Sequence, residues 1–290
     1  MIDYHLHLWS HAERDRPVVL EELAAFVERA AAQGVREIAL TEHFYRFRQA
    51  RSAVAGFFRR YPDSPVRAAM ERYWEENSQA DLDAYVECVL EAKREGLAVV
   101  LGLEVDYYEG AMDRVGELLA GYPFDVLLGS VHWVDAWAFD HLSDPVMMAE
   151  WERVGVEPAW EAYTRSLEEL AATRAVDVLA HPDLIKVAGH RPSVPAEYEA
   201  RMAEAAAASG LAAEVSSAGL RKPVGELYPS PSLLARFVAA GVPLTTASDS
   251  HGLGDVADRA PLIRQTLKAA GVQELAGFRA RRRVQHALAD

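Results

Sequence analysis

The ten histidines of this chain are not scattered. Most of them, together with a set of carboxylates, stand at the C-terminal ends of short apolar runs. The first run carries His5 and His7, with His11 just beyond it, and the second ends at Glu42 and His43. The third carries Glu104 and Asp106, the fourth ends at His132, and the fifth at His181 and Asp183. Glu214, Ser216 and Ser217 close the sixth, and Asp249 and His251 close the seventh. Imidazoles and carboxylates gathered this way are the donors of a metal site, and with a single cysteine, Cys88, thiolate ligation plays no part. Such a donor set suits Zn, Mn or Fe. It also exceeds the need of one ion, since zinc takes about four ligands, so several divalent ions are implied. Two residues separated by one position in a strand face the same side, which lets His5 and His7 share an ion, and the same holds for Asp249 and His251. Glu104, with two oxygens, is the natural bridge between ions. Glu42 and Asp106 can act either as ligands or as the acids that hold imidazoles from behind. His141, His190 and His286 read as ordinary packed or solvated side chains.

The elements that must position these groups follow from the hydropathy pattern. Seven short apolar runs, 2–8, 35–40, 97–105, 124–131, 176–180, 211–215 and 242–247, have the length and the valine content of buried parallel strands. Amphipathic stretches at 20–32, 82–94, 160–174, 196–208 and 233–240 lie between them, and Gly34, Gly96, Gly210 and Gly241 are placed to end helices. Alternation of this kind predicts an α/β fold, either a closed or nearly closed barrel or an open doubly wound sheet. In a parallel barrel all seven strand ends open on one face, where such folds carry their chemistry. Ligands drawn from both halves of the sequence point to one domain over 1–290. Two long connections break the rhythm, 44–77, rich in arginine and aromatic residues, and 133–158, again aromatic; both are expected to cover the barrel mouth.

Composition narrows the partners. Half of the residues are hydrophobic, enough for a sizeable core, and 44 acidic against 30 basic side chains give a formal charge of −14. An acidic surface disfavours nucleic-acid backbones, so no nucleic-acid partner is expected. No stretch approaches the ~18 apolar residues of a membrane span, and the N-terminus has neither a basic nor an apolar leader region, so the expectation is a cytoplasmic protein without a membrane partner. Nothing in the sequence sets an oligomeric state.

The ordered motifs Asp3-Tyr4-His5-Leu6-His7 with His11, Thr41-Glu42-His43, Gly102-Leu103-Glu104-Val105-Asp106, Gly129-Ser130-Val131-His132, His181-Pro182-Asp183 and Ser248-Asp249-Ser250-His251 resemble the PHP family of metal-dependent phosphoesterases. Within it the chain is similar to the histidinol-phosphate phosphatases, through 129–140, through His181 to Arg191, and through Ala218-Gly219-Leu220-Arg221-Lys222-Pro223. The resemblance implies a distorted (β/α)7 barrel with a trinuclear centre at the C-terminal ends of the strands. One ion would be held by His5, His7, Glu104 and Asp249, a second by Glu104, His132 and His181, and a third by His11, His43 and His251. It implies hydrolysis of L-histidinol phosphate, a small phosphate monoester, in histidine biosynthesis, with a hydroxide bridging two ions as nucleophile. Asp249, His251 and Asp183 are the candidate catalytic residues, Asp183 as the acid for the leaving oxygen. Lys186, Arg221 and Arg191 are the candidate phosphate contacts. Asp106, Asp140 and Trp137 are candidates for the organic end of the substrate. Two motifs depart from the family pattern: Glu42 replaces a more usual Asp, and Ser216-Ser217 precede Ala218-Gly219 where Asn-Thr is more usual. The alternatives are another PHP phosphoesterase, acting on a different small phosphate or a nucleic-acid end, and a non-catalytic metal-binding domain.

Overall fold

The structure, a computed structural model, describes residues 1–10, 13 and 17–288. Seven parallel strands pair strictly in chain order: β1 (Asp3–Leu6), β2 (Ile38–Leu40), β3 (Val99–Asp106), β4 (Val126–Ser130), β5 (Val178–Leu179), β6 (Ala212–Ser216) and β7 (Leu244–Ala247). The seam between β7 and β1 is bridged by backbone hydrogen bonds, from Asp249 N to His5 O at 2.8 Å and from His7 N to Ser250 O at 2.8 Å. The sheet therefore closes on itself as a barrel, rather than spreading as a doubly wound sheet. Each expected apolar run coincides with one of these strands, β3 and β6 extending one residue past their runs to Asp106 and Ser216, and every residue of β1 to β7 is buried.

Helices return the chain between strands: α1 (Leu20–Ala32), α2 (Ala50–Ala53), α3 (Pro65–Asn77), α4 (Leu82–Arg94), α5 (Met112–Leu119), α6 (Pro145–Val154), α7 (Val156–Thr173), α8 (Pro195–Ser209), α9 (Pro231–Ala239) and α10 (Ala260–Ala269). The α1 and α4 bounds match the amphipathic stretches residue for residue, whereas α7 starts earlier, at Val156. The four expected cap glycines all take positive φ. No described helix is long and apolar enough to cross a membrane.

An antiparallel hairpin, β8 (Glu274–Arg279) and β9 (Arg282–Ala287), was not among the expected elements. It lies across the N-terminal ends of the barrel strands. Asp125, just before β4, accepts from the backbone of Ala280 with its carboxylate and from Arg281 with its carbonyl, and the Arg281 guanidinium pairs with Asp177, just before β5. Tyr4, Glu37 and Arg279 form a further hydrogen-bonded cluster between hairpin and barrel.

The seam that brings Asp249 beside His5 is fixed by Asp3. Its buried carboxylate accepts from Ser248 N at 2.8 Å, Ser248 Oγ at 2.7 Å and Ala257 N at 3.0 Å. Burial lifts its pKa to about 6, the price of placing a carboxylate there. Asp3→Ala should leave buried donors without acceptors and destabilise the protein by about 2 kcal/mol, read as a lower midpoint in urea or thermal unfolding; an unchanged midpoint would remove Asp3 from that role.

Candidate metal centre

Glu104 is fully buried near the end of β3, and five imidazoles converge on it. Its Oε2 lies 3.4 Å from His5 Nε2, 3.6 Å from His7 Nε2 and 2.7 Å from His43 Nδ1. Its Oε1 lies 3.1 Å from His181 Nε2 and 3.4 Å from His132 Nε2. The carboxylate thus divides the histidines into two sets, one on each oxygen. Asp249 Oδ1 completes the first side, 3.3 Å from His7 Nε2 and 3.8 Å from His5 Nε2. The His7 ring is stacked between His43 and His251, with centroids 4.1 and 4.2 Å away.

Three carboxylates hold the imidazoles from behind. Glu214 meets His5 Nδ1 at 2.8 Å, Asp106 meets His132 Nδ1 at 2.6 Å, and Glu42 lies 3.4 Å from His7 Nδ1. An acceptor at Nδ1 assigns the proton to that nitrogen and leaves the Nε2 lone pair facing inward. His5 Nε2 and His7 Nε2 then oppose each other at 3.1 Å, lone pair against lone pair, an arrangement that a shared cation relieves. The residues present fit divalent ions: four groups of three donors lie within bonding compass of one another, His5-His7-Asp249, His5-Glu104-His181, His43-Glu104-His132 and His7-His43-His251. His11 lies outside the described residues.

In the protein alone the buried carboxylates favour a proton on His5 and His132, the positive charge that an ion at Nε2 would replace. Burial would push Glu104 up, but His132, His43 and His5 around it hold it well below the ordinary carboxylate range. Asp249 is likewise held down against its burial, first by His5. His132 is pulled down by burial and more than restored by Glu104 and Asp106, to about 10. His43, with burial and the His7 charge against it, is pushed well below its usual value. Two of these residues sit in left-handed backbone, His181 at φ 26° and Asp249 at φ 49°, a strain that the surrounding bonds must hold. Glu214 Oε1 accepts from His181 N at 3.2 Å, and Arg221 donates to the carbonyls of Ser248 and Asp249 at 2.7 and 3.0 Å.

The cluster opens on a cavity of about 490 Å³. It is lined by His43, His132, His181, Asp249 and His251 of the cluster, by Tyr45, Tyr73, Trp133, Asp140 and His141 from the two long connections, and by Leu184, Val187, Ala218, Lys222 and Tyr228. Asp183, Lys186, Arg191 and Arg221 do not line it. Lys186 is fully buried, its ammonium shared by Glu226 at 2.7 Å, Asp183 at 2.8 Å and Leu227 O at 2.8 Å. Arg191 pairs with the same Glu226, and Arg221 with Asp258 while it holds the Asp249 turn. Asp183 receives Ser230 N as well as Lys186, and burial raises its pKa. Trp137 packs on Trp151, away from the cavity, as does His190, whereas His286 faces Glu37. Sequence reasoning named Glu214 and Lys222 without giving either a role and read His141 as an ordinary side chain; here Glu214 holds His5, while Lys222 and His141, edge-on to Tyr73, line the cavity.

Residues 5–218 match the PHP domain family model. A probable histidinol-phosphatase from Deinococcus radiodurans is 32% identical over 200 residues, covering 69% of this chain and 73% of that protein. The crystal structure of histidinol phosphate phosphatase from Lactococcus lactis, complexed with Zn, L-histidinol and phosphate, has the same fold, with a TM-score of 0.69 at 20% identity over 98% of each chain.

Glu104→Gln should lower the number of ions retained after dialysis, counted by elemental analysis, while Asp106→Asn should weaken metal affinity by about 10–100-fold with the fold intact. Full retention in both would exclude them from the centre.

Proposed function

The chain belongs to the PHP family, and on that premise we propose that it hydrolyses L-histidinol phosphate to L-histidinol and phosphate as a divalent-metal-dependent phosphoric monoester hydrolase. The observation that carries this reading is one cavity joining several overlapping groups of metal donors to Asp140, the aromatic rings of Tyr45, Tyr73 and Trp133, and Lys222. A phosphate monoester dianion repels nucleophiles and its alkoxide leaves poorly, so charge and positioning must come from the site.

His5, His7, His43, Glu104, His132, His181, Asp249 and His251 would hold the ions, three of them if His11 contributes. Bound divalent ions supply Lewis acidity toward phosphoryl oxygens and a nucleophile from water near neutral pH. The chain's own residues do the rest. Glu214, Glu42 and Asp106 fix which nitrogen of His5, His7 and His132 points inward. Lys222 brings the positive charge on the cavity wall to the phosphate, in the place first given to Lys186, Arg191 and Arg221, whose charges are spent on neighbouring acids. Asp140, whose buried Oδ1 has no hydrogen-bond partner, faces the same cavity and is suited to the substrate's ammonium or imidazolium. Tyr45, Tyr73 and Trp133 shield that end from water.

A small substrate also fits the fate of the arginine-rich connection. Arg46 pairs with Glu42, Arg48 with Asp81, Arg60 with Glu109, and Arg59 with Glu71, so these guanidinium groups are occupied within the fold. Histidine biosynthesis is the setting that such an activity serves.

Metal-loaded protein should hydrolyse L-histidinol phosphate with a kcat/KM at least about tenfold above that for p-nitrophenyl phosphate, the contribution of contacts to the organic end. Equal values, read by phosphate release, would overturn the substrate. Asp140→Asn should raise the KM for L-histidinol phosphate about tenfold by weakening a charge-assisted bond, yet leave that for p-nitrophenyl phosphate unchanged.

A further inference from the structure

Tyr228 has no part in the metal cluster. It is 1% exposed, lines the catalytic cavity, and carries a buried hydroxyl with no hydrogen-bond partner among the described residues. A buried hydroxyl left unpaired costs stability, and a molecule bound in the cavity that this residue lines would supply a partner.

Four independent restraints hold the ring where it is. Its backbone is bridged to the end of β6, with Ser216 N to Tyr228 O at 2.6 Å and Tyr228 N to Ser216 O at 3.0 Å. The Lys186 ammonium, itself anchored between Asp183 and Glu226, lies 5.3 Å from the ring centroid. The His181 ring meets it edge-on, 6.2 Å between centroids. The fourth restraint is Gly219, where a Cβ would stand 3.1 Å from ring atoms Cε2 and Cζ and 2.1 Å from Glu226 O. Glycine in the Ala218-Gly219 step is therefore what lets the ring lie against that turn. Lys186 finds its use here as well, as a brace under the ring.

The position decides which part of a substrate the hydroxyl meets. Tyr228 lines the cavity with Ala218 and Lys222 and packs on His181, one of the donors on the Glu104 Oε1 side. Tyr73 and His141, in edge-on contact with each other, line the same cavity, and Asp140 lies near enough to Tyr228 to act on its phenol. We propose that Tyr228 is a substrate contact, its hydroxyl donating a hydrogen bond to a non-bridging oxygen of the phosphoryl group. Burial and the Asp183, Asp249 and Asp140 carboxylates keep the phenol protonated, as a donor must be. This inference rests on the phosphomonoesterase reading, not on the identity of the alcohol.

Tyr228→Phe removes the oxygen and keeps the ring. In metal-loaded protein, calorimetric affinity for inorganic phosphate should fall about tenfold, the worth of one bond to a charged acceptor. Affinity for L-histidinol and the number of bound ions should stay as in the unaltered protein. The kcat/KM for L-histidinol phosphate and for p-nitrophenyl phosphate should fall together. Gly219→Ala, which displaces the ring, should weaken phosphate binding in the same direction. Unchanged phosphate affinity in Tyr228→Phe, weakened L-histidinol binding instead, or loss of ions would each overturn the proposal. Because phosphate binding is measured without turnover, an enzyme inactive on L-histidinol phosphate would sink the substrate while leaving this contact standing.

Discussion

A carboxylate with no access to water is the constraint around which this molecule is organised. Glu104 is fully buried, and an ionised group so placed must be surrounded by compensating charge or it would take up a proton. Five imidazoles provide that compensation, and they come from β1, from the ends of β2, β4 and β5, and from both oxygens' sides. They can meet only if the barrel closes in the register observed, with His5 O bonded to Asp249 N across the last seam. Imidazoles facing one another would repel if left to choose their own protonation. Glu214, Glu42 and Asp106 behind them remove the choice, so the inner ring of donors is specified by an outer ring of acceptors.

Much of this was legible in the sequence because two signals coincided. Strand runs are short and apolar since both faces are covered, and the chemistry stands just past each one since that is where a parallel barrel opens. That coincidence picks out positions 5, 7, 43, 104, 132, 181, 249 and 251, along with acids such as Glu42, Asp106 and Glu214, and the sorting of ligand from supporting acid comes from the resemblance and the geometry. What stayed hidden depends on tertiary pairing. Lys186 and Arg221 look like phosphate ligands as residue types, but whether a cation is free is decided by acids far away in sequence, Glu226 in one case and Asp258 in the other. Lys222, the immediate neighbour of Arg221, reaches the cavity instead, a difference of one position on a short helical turn. The β8–β9 hairpin escaped notice because its outer strand is largely exposed and charged, with no apolar run to mark it.

The two kinds of segment divide the work. Strand ends are rigid and hold the donors that tolerate little displacement, while the 44–77 and 133–158 connections supply the tyrosines, tryptophan and aspartate that meet the variable part of a substrate. Changing the alcohol accepted by such a site would call for altered connections and leave the strands alone. The net charge of −14 fits the same division, because the acids around the donors serve to fix imidazoles and are shielded from the cavity by them.

The hairpin has a bearing on how the chain acquires its structure. Asp125 and Asp177 sit in the middle of the sequence, yet some of their partners, the backbone of Ala280 and Arg281 and the Arg281 guanidinium, are synthesised about a hundred residues or more later. Glu37 waits longer still for Arg279. Residues made earlier already engage these carboxylates, Lys93 and Leu101 N at Asp125, Leu127 N at Asp177 and Tyr4 at Glu37, and the hairpin adds the last of their partners once it has emerged from the ribosome. The strands that carry the donors can pair before then, but the final lock on them is the work of a segment that touches none of the chemistry.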